Sequence, residues 1–250
     1  MNTIRVLLKR EIMANRKVWL TILLYVLLFP LVLFVLIGLP LYKIQPLVQN
    51  MAYLHWIVPG IWIIASVSTA FLSALVAARK LRYENRLLKI YLTAPISVVS
   101  IIMSGWIWAL ILGLVQLTVA ITETGLMVGE FYTFSKLGRM VAQVLPTILF
   151  FSSLGSILGT WVDKYFNQIV ISLGILLFYS LGSGSFIPLN LYPRTYATIL
   201  EGSPLIGDVH NTQNILMNLS GSLMDGLITV LMALLLLVLH GLVCFKVFRR

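Results

Sequence analysis

Residues 56–97 decide the fold, because an uncharged apolar run, WIVPGIWIIASVSTAFLSALVAA (56–78), is followed at once by a basic segment, RKLRYENRLLKIYLTAPIS (79–97). The hydrocarbon core of a bilayer is about 30 Å thick, and an α-helix needs roughly 20 apolar residues to cross it. The first part therefore predicts a transmembrane helix. The second part predicts a polar connection outside the lipid.

Five more apolar runs of similar length occur at 19–41, 98–122, 140–162, 169–187 and 223–245, and only the last contains a charged residue, Asp225 near its start. In the whole chain 60% of the residues are hydrophobic, only 10% are charged, and the mean hydropathy is +0.99. Soluble domains of this length are far less apolar. We predict an all-α, multi-pass integral membrane protein in which residues 1–250 form a single transmembrane domain with six spanning helices.

The basic residues predict the orientation of these helices. Six spans place both termini on one side, and 14 of the 18 Lys and Arg residues fall on that side, mostly before the first span and in 79–97. Loops rich in Lys and Arg remain in the cytoplasm. We therefore expect both termini to be cytoplasmic and the protein to lie in the cytoplasmic (inner) membrane. Topology and anionic membrane lipid also explain the net charge of +10, so nucleic acid is not an expected partner.

The segment before the first span, 3–17, predicts an amphipathic helix lying in the membrane interface. Its apolar arc consists of Ile4, Leu7, Leu8 and Ile12, and five basic residues occupy the opposite sector. Glu11 and Asn15 intrude on the apolar arc. A basic tail that only sets topology is therefore the alternative.

Small residues line one face of two spans. The second span carries Ser66, Ala70, Ala74 and Ala78, and the fourth carries Gly155 and Gly159 in a GxxxG pattern. Such stripes allow the backbones of two helices to approach closely. They do not identify the partner helix, which can belong to the same chain or to a second copy.

Several residue patterns that carriers, ATPases and metalloenzymes need are missing from the sequence. No Asp, Glu, Lys or Arg lies near the middle of a span, whereas ion-coupled carriers and proton pumps use such groups at depth. No Gly-Lys pair occurs, so a phosphate-binding P-loop is absent from the sequence. The histidines and the single cysteine do not have metal-ligand spacing, and we interpret Asp208 beside His210 as a solvated loop pair. We predict that the chain is not an enzyme, holds no metal, and leaves any nucleotide chemistry to another polypeptide.

The longest external stretch, 183–221, is apolar but repeatedly interrupted by Gly and Pro. This pattern indicates short helices that re-enter the outer leaflet. An ordinary loop packed on the bundle is the alternative.

Helical spacing within 79–97 separates apolar from basic residues. The apolar arc contains Leu81, Leu87, Leu88, Tyr91 and Leu92 with Glu84 at its centre, and Arg82, Arg86 and Lys89 lie opposite. Such a helix could lie along the membrane or in a groove of a cytoplasmic partner. A loop that only sets topology would not need the apolar arc.

Taken in order, the chain has an amphipathic N-terminal helix, six spans, and a cytoplasmic Glu-containing segment that closes on Ala94-Pro95-Ile96-Ser97. A late Ser183-Gly184 is followed by Phe186-Ile187-Pro188 and by Pro204. In this order of elements the chain resembles the membrane permease of type-2 ABC exporters, over essentially its whole length.

The resemblance implies a pathway formed by two permeases, either two copies of this chain or this chain and a homologous one. It implies that 79–97 is a coupling helix seated on a separate ABC ATPase subunit, and that 183–221 forms outer re-entrant helices. The implied contact residues are Glu84, Arg86, Leu87, Leu88 and Tyr91. ATP and Mg²⁺ would bind to the ATPase, and this chain would bind no cofactor. The run 86–89 departs from the Gly-Thr-Leu-Glu-like run common in the family, because it places a cation where an acid is usual.

The resemblance implies a hydrophobic or amphipathic substrate such as a drug, a peptide antibiotic, a lipid or a lipid-linked glycan. Aromatic residues that could line its pathway are Trp62, Trp106, Trp108, Phe178, Tyr179 and Phe186, although aromatic side chains also face lipid. A membrane enzyme acting on lipid-borne substrates is the alternative function, with Glu123, Glu130, Lys136 and Arg139 as its polar cluster. An ion-coupled carrier is a further alternative, which the uncharged spans disfavour.

Overall fold

The computed structural model describes residues 2–48, 51–84, 97–129, 132–219 and 221–248. Its α-helices are α1 (Asn2–Asn15), α2 (Trp19–Leu33), α3 (Leu39–Ile44), α4 (Tyr53–Arg79), α5 (Val98–Val128), α6 (Phe134–Trp161), α7 (Tyr165–Gly182), α8 (Arg194–Glu201), α9 (Pro204–Leu216) and α10 (Leu223–Phe248). Single 3-10 turns lie at Arg16–Val18 and Leu189–Leu191, and π-helical segments lie at Phe34–Gly38 and Lys80–Glu84. A short antiparallel pair, β1 (Leu47–Val48) and β2 (Met51–Ala52), pairs Leu47 with Ala52.

Six helical stretches are long and apolar enough to cross a membrane, and they follow the order that the sequence predicts. This confirms the all-α membrane fold. The first stretch runs from Thr3 to Ile44 and joins α1, α2 and α3 through the 3-10 and π-helical turns.

The N-terminal segment is helical as predicted, and α1 packs along α5. Its buried face differs from the predicted arc, because Ile12 is 56% exposed while Glu11 is only 8% exposed. Arg10 forms an ion pair with Glu11, which offsets the cost of burying the carboxylate. The location of α1 in the membrane interface stays a prediction.

Helix α4 forms the centre of the bundle, between α5 and α6. A Cβ atom on Gly155 would lie 2.3 Å from the Phe71 carbonyl oxygen, and one on Gly159 would lie 2.4 Å from the Leu75 carbonyl oxygen. These glycines therefore permit a backbone approach that no larger residue allows. The GxxxG pattern of the fourth span therefore packs on α4 within one chain, whereas Ser66 and Ala70 of the small-residue face lie against Gly113 of α5.

The fifth span is α7 (Tyr165–Gly182) rather than 169–187. The helix ends because Gly184 adopts a φ of +77°, a left-handed conformation that glycine takes up without strain. Phe186, placed by the apolar run inside the span, instead lies beyond the turn in the protein core with 1% exposure.

The region after α7 contains the short helices α8 and α9, and α9 packs against α4, α6 and α10. Asp208 and Thr212 of α9 are fully buried, whereas His210 is exposed. The interpretation of Asp208 and His210 as a solvated loop pair is therefore wrong, because the helix turns Asp208 toward polar residues of α6 and α10. Re-entry of α8 and α9 into lipid stays a prediction.

Candidate functional site at the two ends of helix α4

Two arginines hold one end of α4 against the connection between α6 and α7. Arg79 donates a hydrogen bond from Nη to Oε1 of Gln168 over 2.7 Å, and its guanidinium carbon lies 4.7 Å from the centre of the Tyr165 ring. A cation over an aromatic face is attracted by the negative potential of the ring. The last turn of α4 is thus fixed to the first turn of α7.

Arg82 holds the π-helical segment that continues α4. It donates to the carbonyl oxygen of Thr160 and forms an ion pair with Asp163, with 2.8 Å between nitrogen and oxygen. Thr160 lies in the last turn of α6, where unpaired carbonyl groups favour a cation. Asp163 is 70% exposed, so water screens the ion pair and the carbonyl contact does more to fix the geometry.

Gln168 completes this contact at the carboxyl end of α6. Its Nε2 donates to the carbonyl oxygen of Val162 over 2.7 Å and approaches those of Leu158 and Gly159 at 3.3 Å. Carbonyl groups at a helix end have fewer backbone partners, so the Gln168 amide helps to satisfy them. Arg79, Arg82, Asp163 and Gln168 are called the basic brace below, and the basic brace joins α4, α6 and α7.

The basic brace directly precedes the segment that the sequence assigns to ATPase contact. Glu84 is the last residue of the π-helical segment, and Arg86, Leu87, Leu88 and Tyr91 lie outside the described residues. Their contact with an ATPase stays a prediction. The brace itself was not predicted, because nothing in a single sequence relates Arg79 to Gln168.

The opposite end of α4 contacts the chain that follows α7. The Tyr53 hydroxyl donates to the carbonyl oxygen of Phe186 over 2.6 Å. A Cβ atom on Gly60 would lie 2.1 Å from the Ser185 carbonyl oxygen, so this approach requires glycine. Between these contacts Trp56 lines a cavity of about 480 Å³, called the polar cavity below.

Polar side chains form much of the wall of the polar cavity. They are Ser183, Asn190, Glu201, His210, Asn211, Gln213 and Asp225. Asn211 donates from Nδ2 to Oδ2 of Asp225 over 2.8 Å, and Gln213 donates from Nε2 to the Gly184 carbonyl oxygen over 3.1 Å. These bonds fix α9 to α10 and to the turn after α7, so the shape of the cavity is held by the fold.

Asp208 is buried beside this wall, outside the six spans. Its Oδ2 accepts a hydrogen bond from the Thr147 hydroxyl over 2.9 Å. Burial raises the pKa of Asp208 to about 6, and repulsion from Asp225 adds to this, whereas hydrogen bonds from Thr147 and Thr229 oppose it. The sequence pattern singled out Asp208 only as a neighbour of His210, and the pairing with Thr147 of α6 was not predicted.

Lys136, a member of the polar cluster proposed for the alternative enzyme, caps the end of α9. Its Nζ donates to the Leu216 carbonyl oxygen over 2.6 Å and to Oδ1 of Asn218 over 3.2 Å. A lysine in this place satisfies carbonyl groups at a helix end. Glu130 of the same cluster lies outside the described residues.

The six aromatic residues predicted to line a pathway lie in separate places. Two are buried in the core (Trp62 and Phe186), two line small cavities near α1 (Trp106 and Trp108), and two border a groove beside α7 (Phe178 and Tyr179). The described part of one chain does not bring them together. Their role in substrate passage stays a prediction.

A family model described as ABC-2 type transporter matches residues 2–206, which include the N-terminal helix, the first five spans and both ends of α4. Comparison with the curated proteins found no match. The family match covers more than half of the chain and agrees with the six apolar helices. The chain therefore belongs to the ABC-2 type transporter family and is a transmembrane subunit of an ABC transporter.

Proposed function

We propose that this subunit is the permease of an ATP-driven exporter, in which a separate ATPase acts on the segment after α4. The observation that carries the proposal is that α4 runs from the basic brace, at Arg79, to the polar cavity, at Trp56. A displacement of residues 85–96 would act directly on α4, because the π-helical segment continues that helix to Glu84, and on α5, which begins at Val98. ATP binding would supply the bias if the ATPase binds ATP more tightly in one of two arrangements.

Close packing supports transmission of this displacement along the bundle. Gly155 and Gly159 bring α6 into backbone contact with α4, and tightly packed interiors deform little. Tyr53 and Gly60 then contact residues 185–186 at the far end. Movement of α4 would therefore alter the polar cavity rather than be absorbed by bending.

The substrate pathway in this proposal lies between two permeases, either two copies or one copy and a homologue. Supporting this, the aromatic candidates of one chain lie apart, and α7 exposes large apolar side chains such as Leu173, Leu177 and Phe178. Lipid or a second permease would cover such a surface. A hydrophobic or amphipathic substrate, cytoplasmic termini and location in the inner membrane belong to the same proposal.

The double substitution Glu84→Ala with Leu87→Ala tests the coupling segment. The chain is produced together with the ABC ATPases of its own genome, and ATP hydrolysis by the complex is measured in liposomes. We expect the stimulation of hydrolysis by the permease to fall at least about tenfold, while the amount of permease in the membrane is unchanged. Lys164→Ala with Phe166→Ala, two exposed residues at the same end of the bundle, is the matched control.

Two results would count against different parts of the proposal. Undiminished stimulation in the Glu84/Leu87 variant would remove this segment as the site of coupling. Failure of the unsubstituted chain to bind any ATPase, with the control variant behaving in the same way, would remove the exporter assignment itself.

A further inference from the structure

A second cavity, of about 330 Å³, opens between the first helical stretch, α4 and α5, and is called the side groove below. Apolar residues at helical spacing line it, with Val18 and Ile22 on the first stretch, Leu72 and Val76 on α4, and Trp108 and Leu112 on α5. Leu72 and Val76 are partly exposed, 36% and 45%, so the groove is open on its outer side. The site is separate from the polar cavity at the other end of α4.

Ionic groups lie at one end of the side groove only. These are Glu11 of α1 and Lys80 of the π-helical segment. The Glu11 carboxylate is already paired with Arg10, so that pair adds no net charge. Lys80 forms no ion pair with a side chain that the structure describes. Lys80 is therefore the lining cation whose charge no described carboxylate neutralises.

The length of the side groove matches one leaflet of a bilayer. Thr69 lies at its other end, and the α4 rise from Thr69 to Lys80 is about 16 Å at about 1.5 Å per residue. Half of the hydrocarbon core of a bilayer is about 15 Å. Lys80 also lies near the end of the spanning stretch Tyr53–Arg82, where lipid headgroups meet the hydrocarbon.

We propose that the side groove binds one phospholipid, with its phosphate at Lys80 and one acyl chain along the apolar wall. A phosphodiester carries one negative charge, which matches the single positive charge of Lys80. Hydrogen bonds between an ammonium group and a phosphate are among the strong ones because both partners are ionised. The groove opens to the side, is as long as one leaflet is thick, and has a cation at the level of the headgroups. This shape fits a lipid better than it fits a rigid solute. The proposal does not rest on the exporter assignment.

Lipid titration of the full chain in detergent tests the site, with native mass spectrometry counting bound molecules. The probes are dioleoylphosphatidylglycerol and dioleoylglycerol, which has the same chains without the phosphate. We expect one tightly bound phosphatidylglycerol per chain and about tenfold weaker binding of dioleoylglycerol. Lys80→Gln should weaken only the phosphatidylglycerol, about tenfold.

The matched control is Lys164→Gln, which removes an exposed lysine at the same end of the bundle, outside the side groove. It should leave both affinities unchanged. Equal affinities of the unsubstituted chain for the two lipids would overturn the proposal. So would equal losses in the Lys80 and Lys164 variants.

Ser73→Phe tests the apolar part, because Ser73 lines the side groove and a phenyl ring there would occupy it without changing any charge. We expect loss of both lipids with a folded chain, as judged by circular dichroism. Unchanged phosphatidylglycerol binding would contradict the site. Loss of a dimer mass in lipid-free detergent would assign the groove to a second copy and also overturn the proposal. If the Ser73 variant does not fold, the lipid affinities of the Lys80→Gln and Lys164→Gln variants test the proposal.

Discussion

Asp208 has 0% exposure and keeps an ionisable group inside the contact between α9, α6 and α10. In an unfolded chain an aspartate has a pKa of about 3.9. In the folded protein burial raises the pKa of Asp208 to about 6. Between these values the folded state holds a proton that the unfolded state has released. The stabilising effect of this proton is complete below the unfolded pKa and is lost as the pH rises through the folded pKa.

Asp208→Asn is expected to remove this pH dependence. The amide is neutral at every pH and still offers an oxygen to the Thr147 hydroxyl. Thermal unfolding in detergent should show the variant gaining stability relative to the unsubstituted protein as the pH rises from about 3 to about 7, by at most roughly 3 kcal/mol. Glu201→Gln, at an exposed carboxylate outside the basic brace, is the control. Identical pH profiles for the Asp208 variant and the unsubstituted protein would contradict the titration assigned to this residue.

At the scale of the elements, the sequence predicted the spanning helices, which the bilayer requires. It did not predict helix ends and buried faces that depend on local contacts. Uncharged runs of about 20 residues identify spans because lipid cannot solvate a charged side chain. The fifth span ends at Gly182 rather than at residue 187 because the conformation of Gly184, not hydropathy, stops the helix. Glu11 turns inward because Arg10 neutralises it, and an amphipathic pattern does not show such a pair.

The candidate site was predictable to a smaller extent. The basic segment after the second span and the family resemblance led to the prediction of an ATPase contact there, which stays a prediction. The basic brace was not predicted, because it joins Arg79 to a glutamine 89 residues later. Small residues likewise indicated close packing without indicating that Gly155 meets Phe71. Contacts of this kind depend on three-dimensional arrangement, and residue type alone does not determine them.

Gly155→Ala should destabilise the contact between α4 and α6. The added Cβ atom would lie 2.3 Å from the Phe71 carbonyl oxygen, so the two helix backbones must separate. Overpacking of this kind costs about 1–3 kcal/mol. Thermal unfolding in detergent, followed by circular dichroism, measures the loss.

Gly174→Ala is the matched control for this substitution. It lies in α7, where an added Cβ atom would meet nothing within 4 Å. Alanine favours helix more than glycine does, by up to about 1 kcal/mol, so this variant should be as stable as the unsubstituted chain or slightly more so. Equal stability of the Gly155 and Gly174 variants would show that α4 and α6 are not held together by backbone contact.

At the scale of the whole molecule, α4 connects two regions with different chemistry. One end carries the basic brace, which is cationic and fixed to α6 and α7. The other end borders the polar cavity, whose wall includes Glu201 and Asp225. A helix packed on most sides cannot move at one end without moving its neighbours. The proposed mechanism therefore requires that the state of an ATPase on the segment after Glu84 be detectable at the polar cavity.

Arg82→Gln should weaken that communication without removing the ATPase. The substitution takes away the cation that contacts the Thr160 carbonyl and Asp163 but leaves residues 84–97 unchanged. A fluorophore on Glu201→Cys, at the wall of the polar cavity, reports the response after Cys244→Ser has removed the single native cysteine. A non-hydrolysable ATP analogue added to the complex should change the fluorescence of the labelled protein in which Arg82 is retained. In the Gln variant the change should fall at least about fivefold, the lower end of typical coupling between sites.

The control for this experiment is Arg139→Gln, which removes an exposed cation from α6 outside the basic brace. It should leave the fluorescence change intact, and co-purification should show equal amounts of ATPase in all three complexes. We expect a selective effect because Arg82 contacts α6 just before the segment that follows Glu84, whereas Arg139 lies near the start of α6, far along the helix from Thr160. A full response in the Arg82→Gln complex would mean that displacement reaches the cavity by another route, and α4 would lose the role proposed for it.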